Sequence, residues 1–144
     1  MTQQEREQRA IARIDETATE LVALSSYLHE HPELGGQEQL AMKAVGEFLE
    51  DSGFTVTTDL SEEGKYPILK TALRADAGVP MTYDAPIDTA STGTADLATS
   101  YNMAFLGEYD ALPGLGHGCG HNLIAMMSVG AALGFKEAVP EAHT

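Results

Sequence analysis

The stretch GEYDALPGLGHGCGHN, at residues 107–122, is the feature that most constrains how this chain folds. It brings the chain's only cysteine, two histidines and two carboxylates into a glycine-rich turn ahead of an apolar segment. Glycine lets the backbone bend tightly enough for side chains at short spacing to converge on one ion, and zinc prefers thiolate and imidazole ligands. Cys119 and His121 are therefore expected to bind one divalent metal ion, zinc or manganese. A lone cysteine is more commonly an inert core residue, but the glycine and histidine neighbours of Cys119 favour a ligand.

Apolar residues spaced three and four positions apart predict two amphipathic helices early in the chain. The first runs from about residue 4 to residue 30 and stops before a proline, and the second covers residues 40–49 and is capped by Gly53. His29 and His31 lie where the negative end of the first helix dipole attracts an imidazolium, so both are expected to be helix-terminus residues rather than catalytic ones.

Two strands and a loop are expected after these helices. Residues 54–58 alternate apolar and threonine side chains and predict a strand, and residues 68–75 form a second strand candidate. Residues 76–100 are rich in Asp, Thr, Ala, Pro and Gly, which predicts an exposed loop.

The glycine-rich motif lies between a predicted strand and a predicted helix. The apolar run at residues 103–106 predicts a buried strand whose carboxyl end presents Glu108 and Asp110. Asn122 is expected to cap a helix that ends near Pro140. Open α/β sheets place their sites at the carboxyl ends of strands, so the predicted fold class is α/β.

The charge of the chain restricts its partners. Asp and Glu total 22 against 8 Lys and Arg, a formal net charge of −14, so a phosphate-rich surface would be repelled and no nucleic-acid or membrane partner is expected. The chain has the length of one domain, its N-terminal residues do not resemble a secretory signal, and its longest apolar run is too short to span a bilayer. A single cysteine implies no internal disulfide, so the expected location is the cytoplasm.

Three motifs, taken in order, resemble a family of metallopeptidases. They are LHEHPELG at residues 28–35, EYDALP at residues 108–113 and GHGCGHN at residues 116–122. The chain resembles the amidohydrolase branch of the aminoacylase/carboxypeptidase metallopeptidases, peptidase family M-twenty, and most of all its aminobenzoyl-glutamate hydrolase and dipeptidase-like members. This resemblance implies that residues 1–144 are the incomplete N-terminal part of a zinc-peptidase-like catalytic domain, with a mixed sheet flanked by helices. It also implies a two-metal centre and a smaller lid domain used for dimerisation.

The resemblance further implies roles for individual residues. Cys119 and His121 match the first metal-binding pair of the family, and Asp110 matches a catalytic-site carboxylate that orients or binds the metal cluster. Glu108 stands where more distant relatives carry a metal-binding histidine, so it is a weaker candidate ligand. His117 is expected either to contact the metal ligands or the substrate, or to be an ordinary structural histidine.

Two functions remain open at this point. In the first, the chain is the N-terminal part of a metal-dependent hydrolase of amide bonds in N-acyl amino acids, aminobenzoyl-glutamate or dipeptides. The family's general base and remaining histidine ligands would then come from a complementing chain. In the second, the chain is a catalytically inactive remnant that binds a metal or a partner protein. The uncovered apolar faces of its helices predict self-association in either case.

Overall fold

Two long helices that pack along each other form the base of the fold. In the computed structural model, which describes residues 1–78 and 103–140, the elements in chain order are α1 (Gln3–Glu30), α2 (Gln39–Asp51), β1 (Thr55–Thr58), a 3₁₀-helix (Pro67–Thr71), β2 (Leu73–Asp76) and α3 (His121–Ala138). The predicted helices are confirmed, and so is the first predicted strand. None of the helices in this part of the chain has the length and apolar character needed to cross a membrane.

Apolar side chains between the three α-helices form the hydrophobic core. Its largest buried members are Leu28 and Leu133, each 1% exposed. Burial of one such side chain stabilises a fold by about 1.5–3 kcal/mol. Helices α1 and α3 approach closely because Gly134 has no side chain, since a Cβ there would lie 3.0 Å from Ile14 Cδ1 and 3.3 Å from the carbonyl oxygen of Ala10.

Local hydrogen bonds define both ends of α1. Thr2 and Glu5 form a capping box, in which the Thr2 hydroxyl accepts from the Glu5 amide at 3.2 Å and the Glu5 carboxylate accepts from the Thr2 amide at 2.6 Å. At the other end, Nδ1 of His31 lies 2.8 Å from the carbonyl oxygen of Tyr27. His31 is therefore the helix-terminus residue that the sequence predicts.

Helix α2 ends in the glycine motif that the sequence predicts. Gly53 has a positive φ of 78°. Its amide donates to the carbonyl of Glu50 at 2.9 Å, and the amide of Phe54 donates to that of Leu49 at 3.0 Å. This pair of bonds satisfies carbonyls at the helix end that would otherwise lack a partner. Lys136 of α3 binds the same corner, because its Nζ donates to the carbonyl of Gly53 at 2.8 Å.

The sheet is smaller than the one expected. Strands β1 and β2 pair antiparallel, with Thr55 opposite Asp76. Helices combined with strands agree with an α/β class, but within the described residues the sheet holds these two antiparallel strands and is not a mixed sheet. The strand predicted at residues 68–75 is wrong in its first part, where the chain forms the 3₁₀-helix. Pro67 explains the difference, because its fixed φ favours the first turn of a helix.

The buried strand predicted at residues 103–106 is also wrong. These residues belong to no strand, and Leu106 is 88% exposed. Side chains of α3 hold the segment instead. The Ser128 hydroxyl donates to the carbonyl of Leu106 at 2.5 Å, and the rings of Phe105 and Phe135 lie 5.8 Å apart. An apolar run alone cannot distinguish a strand from a segment that packs on a helix. Residues 79–100 of the predicted loop lie outside the described residues.

The start of α3 differs from the prediction as well. Gly120 occupies the N-cap position with a φ of 81°, and the helix begins at His121. Asn122 is not the cap, because its side chain is buried and its amide donates to the carbonyl oxygen and the hydroxyl of Ser25 at 3.2 Å and 3.1 Å. The left-handed turn at Gly120 directs Asn122 inward, where it joins α3 to α1.

Candidate functional site

The glycine-rich motif folds into a tight loop followed directly by α3. Leu112 and Gly116 face each other in an isolated antiparallel bridge, with hydrogen bonds of 2.9 Å and 3.1 Å between their main chains. The amide of Gly120 then donates to the carbonyl of His117 at 2.9 Å, which turns the chain into the helix. The turn places His121 next to Glu108 and Asp110, which precede the loop.

His121 lies between two carboxylates. Its Nδ1 is 2.8 Å from Asp110 Oδ1 and 3.0 Å from the Asp110 carbonyl oxygen, and its Nε2 is 3.1 Å from Glu108 Oε2. The carbonyl oxygen and the ionised carboxylate of Asp110 can only accept, so Nδ1 is the donor. Nε2 faces the carboxylate of Glu108, which also only accepts, so this second contact needs either a proton or a metal ion between the two atoms. The structure thus brings together three of the residues that the sequence singled out.

The three residues do not converge on one point. Asp110 and Glu108 contact opposite nitrogens of the same ring, so both carboxylates cannot share an ion with that imidazole. Over residues 1–78 and 103–140, no group of three His, Cys, Asp or Glu side chains is arranged to hold a metal ion. Cys119 is exposed and carries a free thiol. The described geometry supplies part of a ligand set and not a complete one.

His117 is buried beside the site. It is 7% exposed, and its Nδ1 has no hydrogen-bond partner in the part of the chain that the structure describes. Its ring stacks with that of His29, with centroids 6.4 Å apart. Burial lowers the pKa of His117, and the nearby His29 and His121 lower it further, against the opposing effects of a hydrogen bond with the Leu28 backbone and of the Asp110 carboxylate. The ring is therefore neutral at neutral pH.

Glu33, which the sequence analysis did not single out, joins the site segment to α2. Its carboxylate accepts from the amides of Gln39 at 3.1 Å and Ala41 at 2.9 Å, so it satisfies donors at the start of the helix. Its carbonyl oxygen accepts from the amide of Ala111 at 2.6 Å, next to an isolated parallel bridge between Leu34 and Ala111. The sequence offered one indication of this role, because Glu33 is an acidic residue shortly ahead of a predicted helix and could accept from the free amides of its first turn.

A second polar network that the sequence analysis missed lies on the other side of the segment. The hydroxyl of Tyr109 donates to the carbonyl oxygen of Thr71 at 2.5 Å, and the hydroxyl of Thr71 donates to the buried carboxylate of Glu38. Burial, together with the Glu38 and Glu33 carboxylates, raises the pKa of Tyr109 to about 12. Tyr109 therefore remains a donor at neutral pH. The sequence offered one indication of this contact. Tyr109 lies between Glu108 and Asp110, and neighbours in an extended segment face opposite sides, so Tyr109 should face away from the carboxylates.

Two curated relatives are similar to this chain over most of its length. An Xaa-Arg dipeptidase of Mus musculus is 38% identical over 131 residues, which are 91% of this chain and 27% of the mouse protein. An Xaa-Arg dipeptidase of Homo sapiens is 36% identical over 126 residues, which are 88% of this chain and 26% of the human protein. The chain spans about a quarter of the length of these relatives, and no family model matches it.

Proposed function

We propose that this chain provides the first metal-binding residues of a metal-dependent hydrolase that cleaves dipeptides. The observation that carries the proposal is the imidazole of His121 held between Asp110 and Glu108, in a chain that is 38% identical to a dipeptidase. The N-acyl amino acids and aminobenzoyl-glutamate that the family resemblance implies are further candidate substrates. We propose that the chain supplies the N-terminal part of the catalytic domain.

The donor chemistry of the site fits a divalent ion, zinc or manganese. We propose that Nε2 of His121, the thiolate of Cys119 and, more weakly, the carboxylate of Glu108 hold it. Donor atoms that share one ion at about 2.0–2.2 Å lie roughly 3.0–3.5 Å apart, and Nε2 of His121 is 3.1 Å from Glu108 Oε2. When bound, a divalent ion supplies polarisation of the amide carbonyl and a water molecule of lowered pKa.

The side chains of this chain then have distinct tasks. Asp110 holds the proton on Nδ1 of His121 and fixes the orientation of the ring, which keeps Nε2 available as a ligand. Glu108 is more exposed than Asp110 and His121, with 69% of its side chain accessible to solvent. As a metal ligand it would be a weak base, so we assign the removal of the proton from water to a residue other than Glu108. His117 is proposed to contact the ligands or the substrate.

The substrate class follows from charge and from the names of the relatives. We propose dipeptides with a basic C-terminal residue, because the relatives are Xaa-Arg dipeptidases and the formal net charge of −14 attracts cationic substrates. The alternative function is an inactive remnant that binds a metal or a partner. It is favoured by the lack of a three-ligand group in the described ranges 1–78 and 103–140.

Metal uptake tests the proposal directly. Zinc and manganese binding would be measured by calorimetry on the wild type, Cys119→Ala and His121→Ala, with His29→Ala as the control for a nearby histidine outside the ligand set. We expect modest affinity in the wild type and the control, since few ligands leave positions to water, and a loss of at least tenfold in the other two variants. Equal uptake in all four proteins would contradict the assignment.

A hydrolysis assay separates the two functions. The chain would be incubated with zinc or manganese and with dipeptides that carry Arg, Leu or Glu at the C-terminus. We expect no turnover at an enzyme-like rate by the chain alone, because a general base contributes about 10²–10⁴-fold. Clear turnover that disappears in Glu108→Gln and Cys119→Ala would instead show a complete catalyst. Metal uptake together with restored turnover on addition of the C-terminal part of a relative would support the hydrolase over the remnant.

A further inference from the structure

We propose that Tyr109 is a positioning residue for His121. Through its hydroxyl it anchors the short segment that carries Glu108 and Asp110, and thereby keeps Asp110 in contact with Nδ1 of the imidazole. This inference rests on the proposed role of His121 as a metal ligand, but it is tested on the metal-free chain. It concerns how the site is held in place and adds a residue that touches neither a metal nor a substrate.

The segment needs such an anchor because strand pairing does not hold it. Residues 103–110 form no strand, and two hydrogen bonds fix the main chain on either side of Asp110. The amide of Ala111 donates to the carbonyl of Glu33 at 2.6 Å, and the hydroxyl of Tyr109 donates to the carbonyl of Thr71 at 2.5 Å. These two bonds are the anchors immediately before and after Asp110, and the ring of Tyr109 also packs against the hydrophobic core, a contact that phenylalanine would keep.

His121 is sensitive to that position because Asp110 contacts it twice. Both the carbonyl oxygen and Oδ1 of Asp110 lie near Nδ1, at 3.0 Å and 2.8 Å. A carboxylate side chain alone could follow a displaced imidazole by rotation, but a main-chain carbonyl cannot. A main-chain shift of about 1 Å would lengthen these contacts beyond hydrogen-bond range. The Nδ1–H of His121 then loses both of its acceptors and becomes accessible to water.

The acceptor of the Tyr109 hydroxyl is itself fixed. Thr71 is 2% exposed and is the last residue of the 3₁₀-helix. Its hydroxyl donates to Glu38, the N-cap residue of α2. The extended segment places Tyr109 on this side and Asp110 on the side of α3, so the tyrosine connects the start of α2 to the imidazole without touching the imidazole. Rigid support of this kind is what keeps a ligand within the narrow geometry that metal binding needs.

The test follows the Nδ1–H proton of His121 by NMR of ¹⁵N-histidine-labelled, chelator-treated protein. The signal is assigned by its loss in His121→Gln, and the exposed His29 serves as an internal reference. We expect an Nδ1–H that exchanges slowly with water in the wild type and in Tyr66→Phe, the control that removes a hydroxyl from a half-exposed tyrosine. In Tyr109→Phe we expect this exchange to be at least twofold faster, while far-UV circular dichroism stays unchanged.

Two outcomes would overturn the inference. One is a folded Tyr109→Phe protein with the wild-type His121 signal. The other is a Tyr109→Phe protein that loses its circular dichroism together with the His121 signal, because the hydroxyl would then determine the fold and not the site. Replacement of Tyr109 by 4-aminophenylalanine keeps an N–H donor and should restore the slow exchange of the His121 Nδ1–H. If the wild type takes up no metal while this exchange responds as expected, the proposed function fails and the positioning role stands.

Discussion

The helical base of the molecule and the site segment are stabilised in different ways. Helices α1 and α3 share a long apolar interface in which buried leucines and Gly134 lie in close contact. The segment at residues 103–111 is mostly exposed and is held by single hydrogen bonds to Ser128, Thr71 and Glu33, with ring contacts at Phe105 and Tyr109. Packing distributes stability over many atoms, whereas the segment depends on a few directional bonds. Substitutions in the helical base should therefore change the free energy of unfolding, and substitutions in the segment should change the positions of Asp110 and Glu108 relative to His121.

The largest expected effect is on the base. Leu133→Ala removes a side chain that is 1% exposed and should destabilise the chain by about 2–5 kcal/mol, because a cavity remains in the core. Urea unfolding followed by circular dichroism would measure it. Leu123→Ala, on the exposed side of α3, is the control and should change stability by less than about 0.5 kcal/mol. Similar losses in both variants would show that the helical interface is not the main source of stability.

A smaller effect is expected where the segment meets α2. Glu33→Ala removes the carboxylate that accepts from Gln39 and Ala41, and loss of such a cap costs about 0.5–2 kcal/mol. The main-chain bond from Ala111 to residue 33 is unaffected by the substitution itself. We therefore expect lower stability in urea with an unchanged exchange rate of the His121 Nδ1–H. Faster exchange in this variant would mean that the cap and the site are not independent of each other.

The pH dependence of stability tests the tyrosine contact. The pKa of Tyr109 rises from 10.0 to about 12 on folding, so the folded state holds the phenol proton more tightly than the unfolded state does. The resulting stabilisation is complete below pH 10 and is lost as pH rises from 10 to 12. Partial exposure limits it to roughly 1 kcal/mol. Tyr109→Phe should unfold with a weaker dependence on pH in this range, and identical slopes would argue against the buried hydroxyl contact.

The smallest expected effect on stability comes from the outer surface of the base. Val22, Leu123 and Met127 line an open groove of about 600 Å³ between α1 and α3, and Met127 is 73% exposed. Exposed apolar surface of this kind predicts self-association. Met127→Lys should reduce the oligomer fraction in multi-angle light scattering and leave unfolding within about 0.5 kcal/mol of the wild type. A monodisperse wild-type monomer would contradict the prediction.

The difference between local and long-range contacts explains which parts of the fold and of the site the sequence could predict. The bounds of α1 and the glycine cap of α2 follow from local periodicity and local turn chemistry, and both are confirmed. Asp110 and His121 were expected near one site from the family resemblance, and the structure places them in direct contact. Cys119 stays a predicted ligand, since no finding tests it. Local patterns were sufficient wherever the stabilising contacts lie close together along the chain.

The errors and omissions concern contacts between distant residues. The apolar run at residues 103–106 was expected to pair as a strand, but its packing surface is α3. Asn122 has the side chain of a helix cap, but Ser25 offers it a buried partner. Tyr109 and Thr71 meet across a long stretch of chain, and neither residue carries a pattern that announces the other. Hydrogen bonds of this type are specified by the folded arrangement and not by neighbouring residues.

The hydrogen bond from Ala111 to Glu33 has a consequence for the order of folding. It closes a loop that contains α2, the sheet and residues 79–102. Closing a long loop has an entropic cost that must be met before its contacts contribute. The helices of the base and the contact of Asp110 with His121, which spans 11 residues, can form before this closure, whereas the bond that fixes the segment against Glu33 forms only with it. We therefore expect the segment to reach its final position late in folding, so that a metal ion would bind a nearly native chain and would accelerate refolding little while slowing unfolding.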